Sequence, residues 1–360
     1  MSSRRNTVAF VAPLPPPVNG FAVISERMLV ALSAAGPVAV FNQAPKGSGS
    51  WGLFTGACLG LLRFARYACL LATNRRTSVY IALSGGQRQL VDLLFVGFAT
   101  LFRLPLFIHH HSFGYLNNPT FLTSLVVRFG SRGRHIVLCN KMGSLLCQQY
   151  GVEPSRVLKV SNAAFVNAVP KSPSLKRSDQ GPIKLGFLSN ITLEKGADTF
   201  FEVVRSCKNA DLQVAGLIAG PVNPSLKKWF DETLDQDRSV EYWGGVHGSR
   251  KQEFLESVDI LVFPTRYVNE AEPVVILEAA SAGALVIASQ RGCIEEMIEA
   301  IGGVVVLEGE DFPRRVVDLV AALSKSRNLS TEQATSRHNF SKFHESANSD
   351  LADLLLKLGG

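Results

Sequence analysis

Residues 259–289 read DILVFPTRYVNEAEPVVILEAASAGALVIAS. Asp259–Phe263 is a short apolar run with the composition of a buried strand, and Leu285–Ser289 is a second. Between them Glu270 and Glu278 stand eight positions apart, separated by Pro273 and a Val-Val-Ile-Leu run, with Ala279, Ala280 and Gly283 after them. A proline just before such a run and a glycine just after it mark a helix start and stop. The segment is therefore expected to run strand, loop, helix, strand, with Glu270 in the loop and Glu278 one or two turns into the helix. The first N–H groups of that helix have no intrahelical acceptor, and with the helix dipole they suit a phosphate. Carboxylates on either side of a bound phosphate suit the hydroxyls of a sugar and a ribose.

The same alternation extends in both directions. Upstream, strands are expected at Thr7–Ala12, Val38–Asn42, Val79–Leu83, Leu106–His110, His135–Cys139 and Val157–Val160. Helices fall between them at Phe21–Ser33, Leu53–Ala72, Leu90–Phe102, Phe121–Phe129 and Met142–Tyr150. The stretch from Pro170 to Pro182 is polar and proline-rich, a linker by composition. After it the alternation restarts with strands Ile183–Phe187, Gln213–Ala219 and Val240–Trp243, helices Gly196–Ser206, Pro224–Thr233 and Lys251–Ser257, then the opening segment, Val304–Leu307 and helix Val316–Ser324. Strands that alternate with helices make a parallel sheet covered on both faces. At 360 residues the chain has room for two such domains.

The order of these motifs resembles the retaining glycosyltransferases of family 4. Glu270 and Glu278 match that family's E-x7-E pair. Asp259–Thr265 is similar to its strand end, Leu188–Gly196 (LSNITLEKG) to its Lys-Gly turn, and Pro13–Gly20 (PLPPPVNG) to its first loop. The resemblance implies the GT-B fold: α/β, two Rossmann-like domains whose parallel sheets face each other across a cleft. The expected divisions are 1–168 for acceptor binding, 169–182 as linker, 183–330 for nucleotide-sugar binding, and 331–360 as C-terminal helices that cross back to the first domain.

The resemblance also assigns roles. Lys195 is the cation for the donor phosphates, Glu278 takes the ribose hydroxyls and Glu270 the hydroxyls of the transferred sugar. Asn190 stands where the family carries an arginine, so Thr265, the Val274 and Val275 amides and the Gly20 loop would share the charge, with Arg266 as a substitute cation. Ile108–Gly114 reads IHHHSFG at a strand end, where His109 and His111 share a face by alternation. The family places a histidine near this strand end against the sugar, and His111 is the first choice, His109 the second. Glu272 is out of register with the motif and is read as solvated.

Residues 1–165 hold 16 Lys and Arg against three acids, Glu26, Asp92 and Glu153, which leaves 21 and 27 for the remainder. A strongly basic half attracts anionic lipid or a polyanionic substrate. Its scarcity of carboxylates favours a front-face, retaining reaction in which the leaving phosphate takes the proton. The six cysteines form no C-x-x-C pair and no His/Cys cluster, so neither zinc nor a disulfide framework is expected. The Asp235-Gln236-Asp237 sequence lies in a charged stretch and is read as a solvated loop. No metal and no cofactor beyond the donor substrate are expected. No apolar stretch reaches a membrane-spanning length, since Arg63 and Arg66 interrupt Leu53–Leu71.

The expected function is transfer of a sugar with retention from a nucleotide-diphosphate sugar to a glycan or lipid-linked acceptor in cell-surface polysaccharide synthesis. The expected place is the cytoplasm, free or peripheral on the inner face of the cell membrane, with an anionic membrane surface as partner and no nucleic acid. A nucleotide-sugar epimerase of the same fold and a non-enzymatic glycosyltransferase-like protein are the alternatives. A Rossmann dehydrogenase is disfavoured because no G-x-G-x-x-G follows the first strand.

Overall fold

The computed structural model describes residues 6–44, 50–167, 181–326 and 328–359, with backbone alone at 50–58. The chain divides into two compact units, residues 1–165 with 347–360, and residues 166–346. The expected linker lies outside the described residues except for 181 and 182.

The first unit runs β1 (Thr7–Ala12), α1 (Gly20–Ala35), β2 (Val38–Asn42), α2 (Ser50–Thr73), β3 (Thr77–Leu83), α3 (Gln89–Leu101), β4 (Leu106–His110), α4 (Gly114–Asn117), α5 (Phe121–Phe129), β5 (Arg134–Val137), α6 (Asn140–Tyr150) and β6 (Val157–Lys159). Its strands form one parallel sheet in the order β2-β1-β3-β4-β5-β6. All seven residues of β3 are buried, as a central strand covered on both faces requires. Helix α1 starts where Asn19 accepts a hydrogen bond from the Ala22 N–H at 3.0 Å, and α6 stops at Gly151, which adopts the left-handed conformation.

The second unit runs β7 (Ile183–Leu188), α7 (Ala197–Asn209), β8 (Val214–Ala219), α8 (Lys227–Gln236), β9 (Val240–Tyr242), α9 (Gly248–Ser257), β10 (Ile260–Phe263), α10 (Val274–Ala282), β11 (Leu285–Ser289), α11 (Ile294–Ile301), β12 (Val304–Val306), α12 (Phe312–Ser326) and the first part of α13 (Leu329–Gly359). Its sheet is again parallel, in the order β12-β11-β10-β7-β8-β9. Phe187, Phe200, Phe201 and Phe230 fill the core between β7, α7 and α8.

Helix α13 belongs to both units. Its start is tied to the second by Gln333 Nε2 donating to Asp259 Oδ1 (3.0 Å) and Arg337 Nη2 donating to the Ala282 carbonyl (2.8 Å). Residues 347–360, with Ala347, Leu354 and Leu358 buried, belong to the first.

Helices α4 and α11 are not among the elements expected from the sequence. In α11 the buried Ile294, Met297, Ile298 and Ile301 have helical spacing, but the helix is only eight residues long and follows a loop rich in polar residues. Cys69, Cys147 and Cys207 are free thiols, whereas the buried Cys139 and Cys293 are not, which departs from the expectation of no disulfide.

Candidate active site

The strand orders fix where a ligand can sit. In the first sheet the chain leaves β1 towards β2 on one side and returns to β3 on the other; in the second it leaves β7 towards β8 and returns to β10. Beyond the carboxyl ends of such strand pairs the loops part and leave a crevice. The β1 and β3 ends carry residues 13–19 and 84–86, and the β7 and β10 ends carry residues 189–196 and 264–273.

At the β7/β10 position, Lys195 Nζ lies 2.5 Å from Glu270 Oε2. Thr265 Oγ1 donates to the same carboxylate oxygen at 3.1 Å and accepts from the Tyr267 N–H at 3.2 Å. The lysine ammonium stands 4.6 Å from the centre of the Tyr267 ring. Glu270 is 8% exposed, so its charge is held by these two donors rather than by water. Lys195 is delivered by a turn that ends at Gly196 with φ +82°, where a Cβ would stand 2.2 Å from the Pro264 carbonyl oxygen. Only glycine lets the two loops approach this closely. The Glu270 loop is fixed from its other side by Gly292, whose Cβ would stand 2.2 Å from the Glu270 carbonyl oxygen, and by the Cys293 N–H, which donates to the Ala271 carbonyl at 2.9 Å.

Helix α10 begins after Pro273 with no side-chain cap, and Gly283 closes it at φ +89°. The Val274 and Val275 residues at its start are half-buried. Glu278, one turn in, meets Lys251 Nζ of α9 at 2.5 Å. The sequence brings Lys195, Thr265, Glu270, Val274, Val275 and Glu278 into one unit, and the structure adds Lys251, Tyr267 and Gly292. Nothing in the sequence marks Lys251, because it pairs with Glu278 through tertiary packing of α9 on α10.

Three expectations change. Glu272 is 5% exposed rather than solvated, because residues 270–272 turn inward together beneath the start of α10. Arg266 is held away from the Lys195–Glu270 pair: its Nη2 meets Asp198 Oδ1 at 2.6 Å and the Leu193 carbonyl, and its Nη1 donates to Thr199 Oγ1. Thr265 is fully buried, and its hydroxyl is spent on Glu270 and Tyr267. Asn190 is exposed after β7. Asp237, of the Asp235-Gln236-Asp237 sequence, caps the turn into β9 by accepting from the Ser239 N–H at 3.2 Å.

In the first unit, alternation along β4 sends the three histidines to two sides. His109 Nδ1 bonds to the Tyr80 hydroxyl at 2.7 Å, and the His109 and His111 rings lie 3.9 Å apart. The half-buried His111 packs on Phe21 of α1 at 4.9 Å. The Nε2 atoms of His109 and His111 are buried with no hydrogen-bond partner. His110 turns the other way, with Nε2 2.9 Å from His135 Nδ1 and Nδ1 2.9 Å from the Tyr115 hydroxyl. Burial lowers the His111 pKa to about 3 and places His109 well below the ordinary range, with the neighbouring histidines adding to the effect at His109. The ring nearest the strand end is therefore a neutral hydrogen-bonding group. Gly20 opens α1, and a Cβ added to it would meet nothing within 4 Å, so the space beside it is open. Pro13, Leu14, Pro17, Phe21, Ser84, Gly85 and Arg88 line a cavity of about 170 Å³ at these strand ends. Among the described residues no three His, Cys, Asp or Glu side chains group so as to hold a metal.

Residues 182–326 match the family described as Glycosyl transferases group 1. The chain is 28% identical over 228 residues to a phosphatidylinositol N-acetylglucosaminyltransferase subunit of Arabidopsis thaliana, covering 61% of this chain and 48% of that one. It is 29% identical over 142 residues to an uncharacterized 42.6 kDa protein in the cps region of Klebsiella pneumoniae, covering 39% and 35%. The chain thus spans half or less of the curated relatives it matches. Among solved structures, Anabaena HepE in complex with UDP superimposes with a TM-score of 0.71 at 15% identity, over 98% of this chain and all of that one. The same protein has been solved with UDP-glucose. At this identity the likeness is one of fold, and the fold is GT-B.

Proposed function

We propose that the chain is a retaining glycosyltransferase of group 1, the family matched by residues 182–326, and that it transfers a sugar with retention from a UDP-sugar to a glycan or lipid-linked acceptor of a cell-surface polysaccharide. The observation that carries this reading is the Lys195–Glu270 pair beside the uncapped start of α10, with Glu278 one turn further on. An arriving donor supplies diphosphate to Lys195 and the Val274 and Val275 amides, which frees the Glu270 carboxylate for the hydroxyls of the sugar. Its ribose diols replace Lys251 at Glu278. The uridine base follows HepE, solved with UDP and UDP-glucose, and the lipid-linked acceptor follows the phosphatidylinositol-modifying relative.

In the transfer, the bond from the anomeric carbon to the phosphate oxygen breaks as the acceptor oxygen bonds to the same face. The acceptor proton passes to the leaving phosphate. Lys195 and the helix amides stabilise the charge that develops there, so the reaction is expected to proceed without a metal and to be unaffected by a chelator. His111, neutral, would hydrogen-bond the transferred sugar.

The test is a thermal-shift and calorimetric screen of UDP-, GDP-, ADP- and dTDP-sugars against wild type and Glu278→Ala. UDP-sugars are expected to stabilise the wild type, and the variant is expected to lose about tenfold or more in affinity, the value of one or two charge-assisted hydrogen bonds. Stabilisation by none of the four would leave a non-enzymatic role. Conversion of the donor to an epimer without acceptor would make the protein an isomerase.

We further propose that the first unit works at an anionic membrane surface. Helices α2 and α3 expose Leu61, Leu62, Leu90 and Leu94, and Arg63, Arg66, Arg75 and Arg76 lie on or just after α2. Among the described residues no helix is long and apolar enough to cross a membrane. Co-sedimentation with liposomes is expected to rise with their anionic lipid content; indifference to that content would remove this part of the reading.

A further inference from the structure

The first unit contains a cavity of about 440 Å³ at the amino ends of β5 and β6, the opposite end of its strands from the carboxyl ends that carry His111 and the Gly20 loop. It is lined by Ser124 and Arg128 of α5, Gln149 and Tyr150 of α6, and Glu153 and Arg156 of the turn into β6, with the buried His135 in its wall. Its volume is within the range of small-molecule sites.

The charged groups around it are not paired with one another, and the Ser124 hydroxyl already donates to the Thr120 carbonyl at 3.2 Å, which leaves its oxygen as an acceptor. Arg128 sits in the last turn of α5, where a cation is favoured by the helix dipole, and it has no carboxylate partner among the described residues. Arg156 donates one N–H to the Arg132 carbonyl at 2.6 Å and is likewise without a carboxylate partner among the described residues. Glu153 lines the same cavity and forms no ion pair with either arginine. Gln149 uses its amide N–H on the Leu116 carbonyl at 2.8 Å, which leaves its oxygen as an acceptor. The Tyr150 hydroxyl is already engaged with the Tyr115 carbonyl, so its ring serves as an apolar wall. His135 spends Nδ1 on His110, and burial lowers its pKa to about 4, with Arg156 adding to the effect, so it lines the cavity as a neutral ring.

Two guanidiniums without counter-charges are a fork for a phosphate group, and arginine is the side chain best shaped for that contact. A bare phosphate would leave the Glu153 carboxylate, the Ser124 hydroxyl and the Gln149 oxygen facing an anion. A ligand with hydroxyl donors beside its phosphate satisfies them. We propose that this cavity is a second binding site, distinct from the donor site, for a small phosphate ester that carries hydroxyls, the chemistry of a sugar phosphate, with Arg128 and Arg156 on the phosphate and Glu153, Ser124 and Gln149 on the hydroxyls.

The test is calorimetric titration of the full chain with glucose 6-phosphate, glucose and inorganic phosphate. The proteins are the wild type, Lys195→Met, the double variant Arg128→Gln/Arg156→Gln, and Ser124→Glu, which places a carboxylate in the cavity from an exposed position. Glucose 6-phosphate is expected to bind the wild type and Lys195→Met alike, more tightly than inorganic phosphate, and glucose is expected not to bind. The double variant and Ser124→Glu are expected to lose about tenfold or more in affinity while melting at the wild-type temperature. Binding that survives both cavity variants, or that is lost in Lys195→Met instead, would place the phosphate at the donor site and overturn the proposal, as would no binding at all. A parallel titration with vesicles of phosphatidylcholine and phosphatidylglycerol separates a free ester from a lipid headgroup. Vesicle binding lost in the double variant, in the absence of glucose 6-phosphate binding, would overturn the small-molecule site.

Discussion

Glu270→Ala is expected to lower kcat by about 10²- to 10³-fold, roughly 2.7–4 kcal/mol of transition-state stabilisation, while UDP binds within a few-fold of wild type. The split follows from what the carboxylate would touch. Glu270 is held by Lys195 at 2.5 Å and Thr265 at 3.1 Å, in reach of the sugar end of a donor whose phosphates lie at the α10 start, whereas Glu278 sits one turn along that helix beside α9. Losing Glu270 should therefore be felt by the transferred sugar and hardly by the nucleotide. The variant also leaves Lys195 half-buried without its partner, which costs stability on its own account. Glu270→Gln separates the two effects: an amide oxygen can still accept from Thr265 and Lys195, so the melting temperature should recover while the rate stays low. A rate that recovers together with the melting temperature, or a loss of UDP affinity equal to the loss of rate, would reduce Glu270 to a structural role.

The parts of this site that the sequence shows are those whose geometry is local. Glu270 and Glu278 belong to one loop-helix segment, and Pro273 and Gly283 mark its ends, so their placement needs only helix rules. His109 and His111 share a face because strand residues alternate, and the 3.9 Å between their rings is that alternation made visible. The parallel sheets follow from the alternation of apolar runs, and the crevice positions follow from the order in which the strands return. What the sequence hides depends on segments far apart in the chain. Arg266 looks like a free cation beside the motif until Asp198 and the Leu193 carbonyl claim it. Glu272 looks solvated because it is out of register with the E-x7-E pair, yet the turn beneath α10 takes it inside. Lys251 is one lysine in a polar helix, and only the packing of α9 on α10 brings it to Glu278. The arginine-lined cavity joins the end of α5, the end of α6 and the turn into β6, three places that carry no shared motif.

The first unit is expected to lose stability steeply between pH 6.5 and 4.5. Of the seven histidines, His109, His110, His111 and His135 gather around β4 and β5, and all four are held neutral. Burial lowers His111 to about 3 and His135 to about 4, Arg156 adding to the latter, and it holds His109 and His110 well below the ordinary value. A base whose pKa is lower in the folded chain contributes stability that is fully present above its unfolded pKa of about 6.5 and is lost as pH falls, because the unfolded chain takes up the proton first. Asp92 acts in the other direction. Burial raises its carboxyl to about 6, against a lowering by the Ser84 N–H that it accepts at 2.8 Å and by Arg88, so the folded chain holds that proton when the unfolded chain has released it. Near pH 5 the four histidines bind about four protons on unfolding and Asp92 releases about one, which leaves about three and a slope of ~4 kcal/mol per pH unit. Against a typical domain stability of about 5–15 kcal/mol, such a slope would consume that stability over about one to four pH units below 6.5. Calorimetric melting across this range is the measurement, and a pH-independent transition for the first unit would refute the account. His110→Gln, which keeps a polar group between Tyr115 and His135 but removes one titrating ring, should reduce the slope by about 1.4 kcal/mol per pH unit. Asp92→Asn can still accept from Ser84, and it should steepen the acid loss by a similar amount because the one opposing proton is gone.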